Sequence, residues 1–313
     1  MLRRALVVTV IASLVGCQGG DKAAAPGKAA APGGKAPAPG TQVGAGAEAA
    51  DPGLEVAAGD EVEDGPLPPD SDMVFFANDG GLLPLGCFDA KTKKVTAGAA
   101  CLDRVPEGAK VRLGTPTTTA KRAVTGRIEP LCLSGSGKKV ALGVEGLGEG
   151  ASYVVGVWPP ATYRAVSLVP EETKSKKATR LGEDLVAQLR AALSRLGAPS
   201  GDVEAVQVAS VDVDGNGTPD RFFSLVVPDP KNDERYRFSG ALWAPDGDIG
   251  RAVLVDRSKR KEDVFELRGL VDLDGDGTKE LWLRMNFAEG GGDRLVRLRG
   301  RKAEPLGRWT CGV

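Results

Sequence analysis

The sequence predicts a mainly β (α+β) protein: antiparallel sheets with two blade-like strand–loop–strand repeats, one amphipathic helix and a disordered N-terminal tether. Three observations predict it. Short apolar runs alternate with Gly/Pro turns from Met73 to Thr310. One leucine stripe at helical spacing interrupts them between residues 181 and 196. Two nine-residue acidic loops, Asp212-Val213-Asp214-Gly215-Asn216-Gly217-Thr218-Pro219-Asp220 and Asp272-Leu273-Asp274-Gly275-Asp276-Gly277-Thr278-Lys279-Glu280, recur 60 residues apart between similar apolar segments.

The first seventy residues carry an address and a spacer. Arg3 and Arg4 precede a short, largely apolar run from Ala5 to Val15, too short to span a bilayer. The run ends in Leu14-Val15-Gly16-Cys17, which resembles the bacterial lipobox. That resemblance implies cleavage of a signal peptide (residues 1–16) and acylation of Cys17. Acyl chains contribute about 0.8 kcal/mol per buried CH₂, so a multiply acylated terminus stays in the membrane. Gln18 rather than Asp follows the cysteine, which in a Gram-negative host implies the outer membrane. Residues 17–70 are mostly Ala, Pro and Gly, with too little apolar surface to offset the entropy of ordering. Nine acids and no Lys or Arg lie between Glu48 and Asp72, so self-repulsion should extend this tether.

Residues 71–170 are expected to form a small β module, with strands near Met73–Phe76, Leu82–Leu85, Val111–Leu113, Ile128–Leu133, Val140–Val144, Val154–Val157 and Ala165–Val169. Once Cys17 is acylated, Cys87, Cys101, Cys132 and Cys311 remain, an even count that in an exported chain favours two disulfides. Of the three possible pairings the favoured one joins Cys87 to Cys101, closing a short loop, and leaves Cys132–Cys311 to tie the module to the C-terminus. No Cys-x-x-Cys pair supports a Cys₄ zinc site.

Residues 171–313 hold the helix and the two repeats. Lys174 to Lys177 is read as a solvated basic patch and Thr179 as a helix cap, with Glu183 and Asp184 in the first turn, where negative charge suits the helix dipole. Leu181, Leu185, Leu189, Leu193 and Leu196 share one face, and Gly197 and Pro199 stop the helix. Each repeat is expected to supply four strands around its acidic loop. Pro245 to Asp248 is read as a turn and Gly290-Gly291-Gly292 as a break.

Carboxylates at alternate positions with glycines between them form a ring of oxygens suited to a hard cation, Ca²⁺ best of all. An EF-hand would need a bidentate acid at its twelfth position, which here holds Phe223 and Leu283. Glycines at the fourth and sixth positions permit the positive φ of a tight turn. The loops and their flanking strands resemble the FG-GAP and VCBS-type repeats of bacterial surface proteins. That resemblance implies ligands at Asp212, Asp214, Asn216, the Thr218 carbonyl and Asp220, and at Asp272, Asp274, Asp276, the Thr278 carbonyl and Glu280. Four carboxylates against three predict tighter binding at the second loop.

Composition removes several chemistries. The sequence contains no histidine, which excludes Ser-His-Asp and Cys-His nucleophile pairs and imidazole acid–base work. A formal net charge of −1 implies no basic face for nucleic acid. The expected function is a membrane-tethered, calcium-stabilised binding or scaffold module of the cell envelope, with an envelope protein or polysaccharide as partner. A rival reading is a component of an envelope assembly that recognises its partner through exposed aromatics such as Trp158 or Trp243, although burial is the commoner fate of tryptophan. The alternative is an exported hydrolase working through carboxylates such as Glu145, Glu149 or Glu289.

Overall fold

The computed structural model of the chain describes residues 71–130, 137–147, 154–170, 174–179, 181–259, 263–287 and 290–312. It is mainly β, its sheets are antiparallel, and helices are few. The lipobox, Cys17, the tether, Cys132 and the acids Glu149 and Glu289 lie outside the described residues. No helix among the described residues is long and apolar enough to cross a membrane.

The expected β module is a closed barrel. Its strands are β1 (Met73–Asn78), β2 (Leu82–Asp89), β3 (Lys94–Thr96), β4 (Lys110–Gly114), β5 (Thr119–Ile128), β6 (Ala141–Val144) and β7 (Val155–Trp158). Hydrogen bonding runs β1-β7-β4-β5-β6-β2, β1 pairs back onto β2 to close the ring, and β3 hangs on β2. Closure removes the exposed edges that a flat sheet would leave. Val74, Phe76, Leu82, Leu113, Val124 and Leu142 fill the interior, while alternate residues Met73, Phe75, Leu83 and Leu85 face outward into a second core. Cys87 and Cys101 are bridged, with Cα atoms 5.7 Å apart, as expected. The strand placed at 128–133 instead ends at Ile128, because the threonine- and lysine-bearing stretch before it is the strand, alternating between barrel and solvent.

Two five-stranded sheets follow. The first has order β13-β12-β11-β10-β9, from β9 (Lys174–Thr179), β10 (Glu204–Val211), β11 (Asp220–Asp229), β12 (Asn232–Ala244) and β13 (Val253–Arg257). The second has order β17-β16-β15-β14-β8, from β8 (Val166–Leu168), β14 (Val264–Val271), β15 (Glu280–Phe287), β16 (Gly290–Arg299) and β17 (Lys302–Gly312). Each four-stranded repeat therefore gains a fifth strand from upstream. The Lys174–Lys177 patch is part of β9, and the strand assigned to the first module at 165–169 instead pairs with β14. Thr179 is the last residue of β9, and the N-cap of α1 (Glu183–Arg195) is Gly182, without a side-chain cap. The glycine run at 290–292 opens β16 rather than breaking it. A Cβ on Gly291 would lie 2.6 Å from the Arg284 guanidinium, and one on Gly292 2.5 Å from the Trp309 carbonyl.

Alternation along the strands, offset at β-bulges, stacks these parts in layers. Phe222 and Ala241 of the first sheet meet Leu267, Leu281, Leu283 and Val296 of the second in one core. Their neighbours Phe223, Leu225 and Leu242 point the other way, onto Leu189, Ala192 and Leu193 of α1. The far face of the second sheet carries Trp282, Leu295 and Trp309 and packs on the outside of the barrel. There Phe75 meets Trp282 edge-to-face, ring centroids 5.7 Å apart. The order is helix, sheet, sheet, barrel.

Candidate metal centre

Both acidic loops close hairpins in the same register: Val211 pairs with Asp220, and Val271 with Glu280. The glycines at the fourth and sixth positions all take positive φ: Gly215 at 70°, Gly217 at 81°, Gly275 at 70° and Gly277 at 89°. Loop positions two, Val213 and Leu273, are fully buried in two different cores, pinning each loop to the body beneath it. Phe223 and Leu283, where an EF-hand would need its acid, are buried strand residues.

The carboxylates are held by the loop backbones in matching ways. Asp212 Oδ2 accepts the Gly217 N–H at 3.2 Å, and Asp272 Oδ2 accepts the Gly277 N–H at 3.1 Å. Asn216 Oδ1 accepts the Thr218 N–H at 2.6 Å, as Asp276 Oδ1 accepts that of Thr278 at 2.8 Å. In the second loop, carboxylate oxygens of Asp272, Asp274 and Asp276 come within 4.8 Å of one another. Burial above all, reinforced by the neighbouring charges of Asp276 and Asp274, holds the Asp272 carboxyl above its ordinary range. Within the two loops three carboxylate oxygens, Asp212 Oδ1, Asp272 Oδ1 and Asp274 Oδ1, are buried without a hydrogen-bond partner; elsewhere among the described residues Asp79 Oδ2, Asp263 Oδ1 and Glu266 Oε2 share that state. Such oxygens are costly unless something positive meets them. In the two loops they are therefore where the residues fit a cation.

The ninth positions do other work. Asp220 is fully buried; its Oδ2 accepts the Val213 N–H at 3.0 Å and its Oδ1 the Asp246 N–H at 2.7 Å. Glu280 repeats the first bond, Oε2 accepting the Leu273 N–H at 3.1 Å, while its Oε1 takes Arg297 Nε at 2.6 Å. Arg297 also reaches Asp274 Oδ2 at 2.8 Å. Burial pushes the Glu280 carboxyl up to about 7, against the pull of Arg297. Both ninth residues thus tie the loop start to the strand that leaves it; in the second loop Glu280 stands outside the cluster of Asp272, Asp274 and Asp276. That leaves three acids in the second loop and two, Asp212 and Asp214, in the first. Asp214 bonds Asn216, whose amide also reaches Asp246 Oδ1 at 3.0 Å.

Comparisons with protein-family models, curated proteins and solved structures returned no match for this chain.

The other candidates are placed as follows. Cys311, expected to pair with Cys132, is a free, half-buried thiol; burial raises it, with Asp79 beside it adding to the shift. Trp243 is buried in the core between the sheets and Trp158 half-buried against the barrel interior, so neither is an exposed aromatic anchor. Glu145 is exposed. The sequence pattern assigns no role to Arg297 or Lys279. Nothing local marks Arg297, 17 residues beyond Glu280. Lys279 is distinguished only by standing where the first loop has Pro219.

Proposed function

We propose that this protein is an exported, lipid-anchored envelope protein whose folded part is a binding or scaffold module stabilised by calcium in two strand-to-strand loops. The observation that carries the calcium reading is the set of buried, unpartnered carboxylate oxygens on Asp212, Asp272 and Asp274. Asp212, Asp214 and Asn216 would hold one ion, and Asp272, Asp274 and Asp276 the other, with the Thr218 and Thr278 carbonyls as the FG-GAP and VCBS likeness implies. Hard oxygens alone, with no nitrogen or sulfur donor, suit calcium. The ion's part is to cancel carboxylate repulsion and fix the turns. Three acids against two keep the second loop the tighter site.

Membrane attachment rests on Leu14-Val15-Gly16-Cys17, with acyl chains on Cys17 and residues 17–70 as spacer; an outer-membrane location follows if the host is Gram-negative. The two repeats resemble paired blades held face to face. Beside the loops lies a cleft of about 520 Å³ lined by Asp214, Asp276, Arg251, Arg299 and Arg301, a rim that suits an anionic envelope partner such as an acidic polysaccharide.

Thermal melting of the purified protein in millimolar calcium and then in EDTA tests the reading. Saturation at one hundred times Kd stabilises by about 2.7 kcal/mol per site, a rise of roughly 5–10 °C for one ion in a body of this size. The same melting temperature in both buffers removes the calcium centre.

A further inference from the structure

The two loops are bonded to each other. Lys279, eighth residue of the second loop, donates its backbone N–H to the Val213 carbonyl at 2.7 Å and its Nζ to the Asp212 carbonyl at 2.9 Å. Both acceptors belong to the first loop, and Val213 stands between Asp212 and Asp214. The Val213 N–H is held in turn by Asp220. Gly215 completes the contact: a Cβ there would lie 2.5 Å from the Gly277 carbonyl, so the loop backbones touch where any side chain would part them. The counterpart of Lys279 in the first loop is Pro219, which has no N–H, so the reciprocal bond cannot form.

We propose that Lys279 makes the two loops one cooperative two-ion centre, in which filling either loop raises the calcium affinity of the other. The inference rests on the calcium reading above and goes beyond it by assigning a positioning residue and a coupling. An ion in the second loop fixes residues 272–280, including the Lys279 N–H. That N–H fixes the Val213 carbonyl, and with it the chain carrying Asp212 and Asp214. The first loop then meets its ion with part of its ordering entropy already spent. Linkage makes the effect reciprocal. Repulsion between two ions and the Lys279 ammonium acts the other way; salt weakens it, least where the carboxylates are half-buried, whereas backbone ordering does not depend on salt.

Calcium titration at about 0.15 M salt, followed by the Gly215 and Gly275 amide resonances, reads each loop separately. Asp276→Asn lowers the charge of the second loop and keeps its bond to Thr278, since Asn216 already makes that bond in the first. The Gly275 transition should move to higher calcium, and the Gly215 transition should follow by about fivefold or more. In a Lys279→Pro background the Gly215 transition should no longer respond to Asp276→Asn. Should that background fail to fold, Lys279→Met, which removes the bond to the Asp212 carbonyl, must shrink the Gly215 response. A Gly215 transition indifferent to Asp276→Asn in the otherwise native protein overturns the coupling and leaves calcium binding intact. Absence of any calcium response at either glycine overturns the calcium reading and the coupling together.

Discussion

Asp89 and Asp220 are both carboxylates that accept backbone N–H groups, but their surroundings give them different duties. Asp89 lies at the barrel rim, where the hydrogen bond from Arg104, 2.5 Å away, and the Thr92 N–H draw its carboxyl down to about 2. A depressed carboxylate pKa supports the fold above the unfolded value, about 3.9, and that support is lost as pH falls toward 2. In Arg104→Ala the Asp89 carboxyl should titrate nearer the ordinary range, read by its ¹³C carboxyl shift against pH; an unmoved midpoint would refute the assignment. Asp220 is sealed from solvent and serves two backbone donors. Asp220→Ala strands both, at about 1–3 kcal/mol for each buried donor, and urea denaturation with and without calcium should show the loss in both conditions. A loss confined to the calcium-loaded protein would make Asp220 a ligand rather than a strut.

At the scale of elements, the acidic loops, the helix and the glycine run illustrate three degrees of legibility. The loops were readable almost whole: two copies in one register, with glycines where the turn needs positive φ, specify a conformation locally. What the loop sequence did not contain was the use of its last acid. Whether Glu280 faces an ion or Arg297 is decided by a strand that arrives 17 residues later. The helix was readable from its leucine period, yet its start was not, because Thr179 has the chemistry of a cap and the strand β9 claimed it. Leu189 is fully buried against the outer face of the first sheet. Leu189→Ala should cost about 2–5 kcal/mol in chemical denaturation, with the calcium titration unchanged, because the helix lies on the opposite face of that sheet from the core in which Val213 is buried. Gly290-Gly291-Gly292 misled for the opposite reason: glycine is a turn residue by local preference, and only pairing with β15 and β17, with the Arg284 side chain and the Trp309 carbonyl pressed close, shows why it stands in a strand here.

For the whole molecule, the junction between barrel and second sheet decides whether the folded region is one body or two. Leu273 of the second loop, Trp282 and Trp309 share a core with Met73, Phe75 and Leu85 of the barrel. Gly307 marks the closest approach, where a Cβ would fall 1.6 Å from the Leu85 carbonyl, a backbone atom that cannot swing aside. Gly307→Ala should therefore force barrel and sheet apart and destabilise by about 1–3 kcal/mol or more. It should also loosen the second loop, since Leu273 is anchored in that core; calorimetric melting in calcium and in EDTA would show a smaller calcium shift than in the unaltered protein. An unchanged melting temperature would mean the two parts fold independently.

The sequence by itself determined the β-rich class, the leucine helix and the conformation of the twin loops, and favoured the Cys87–Cys101 disulfide among three pairings, because period, loop closure and positive φ are properties of a few neighbouring residues. Closure of the barrel, the fifth strand of each sheet, the diversion of Glu280 to Arg297 and the bond from Lys279 to the first loop were decided only by the tertiary structure. Each of these joins segments whose meeting depends on which faces are left to bury, and that is a property of the packed chain.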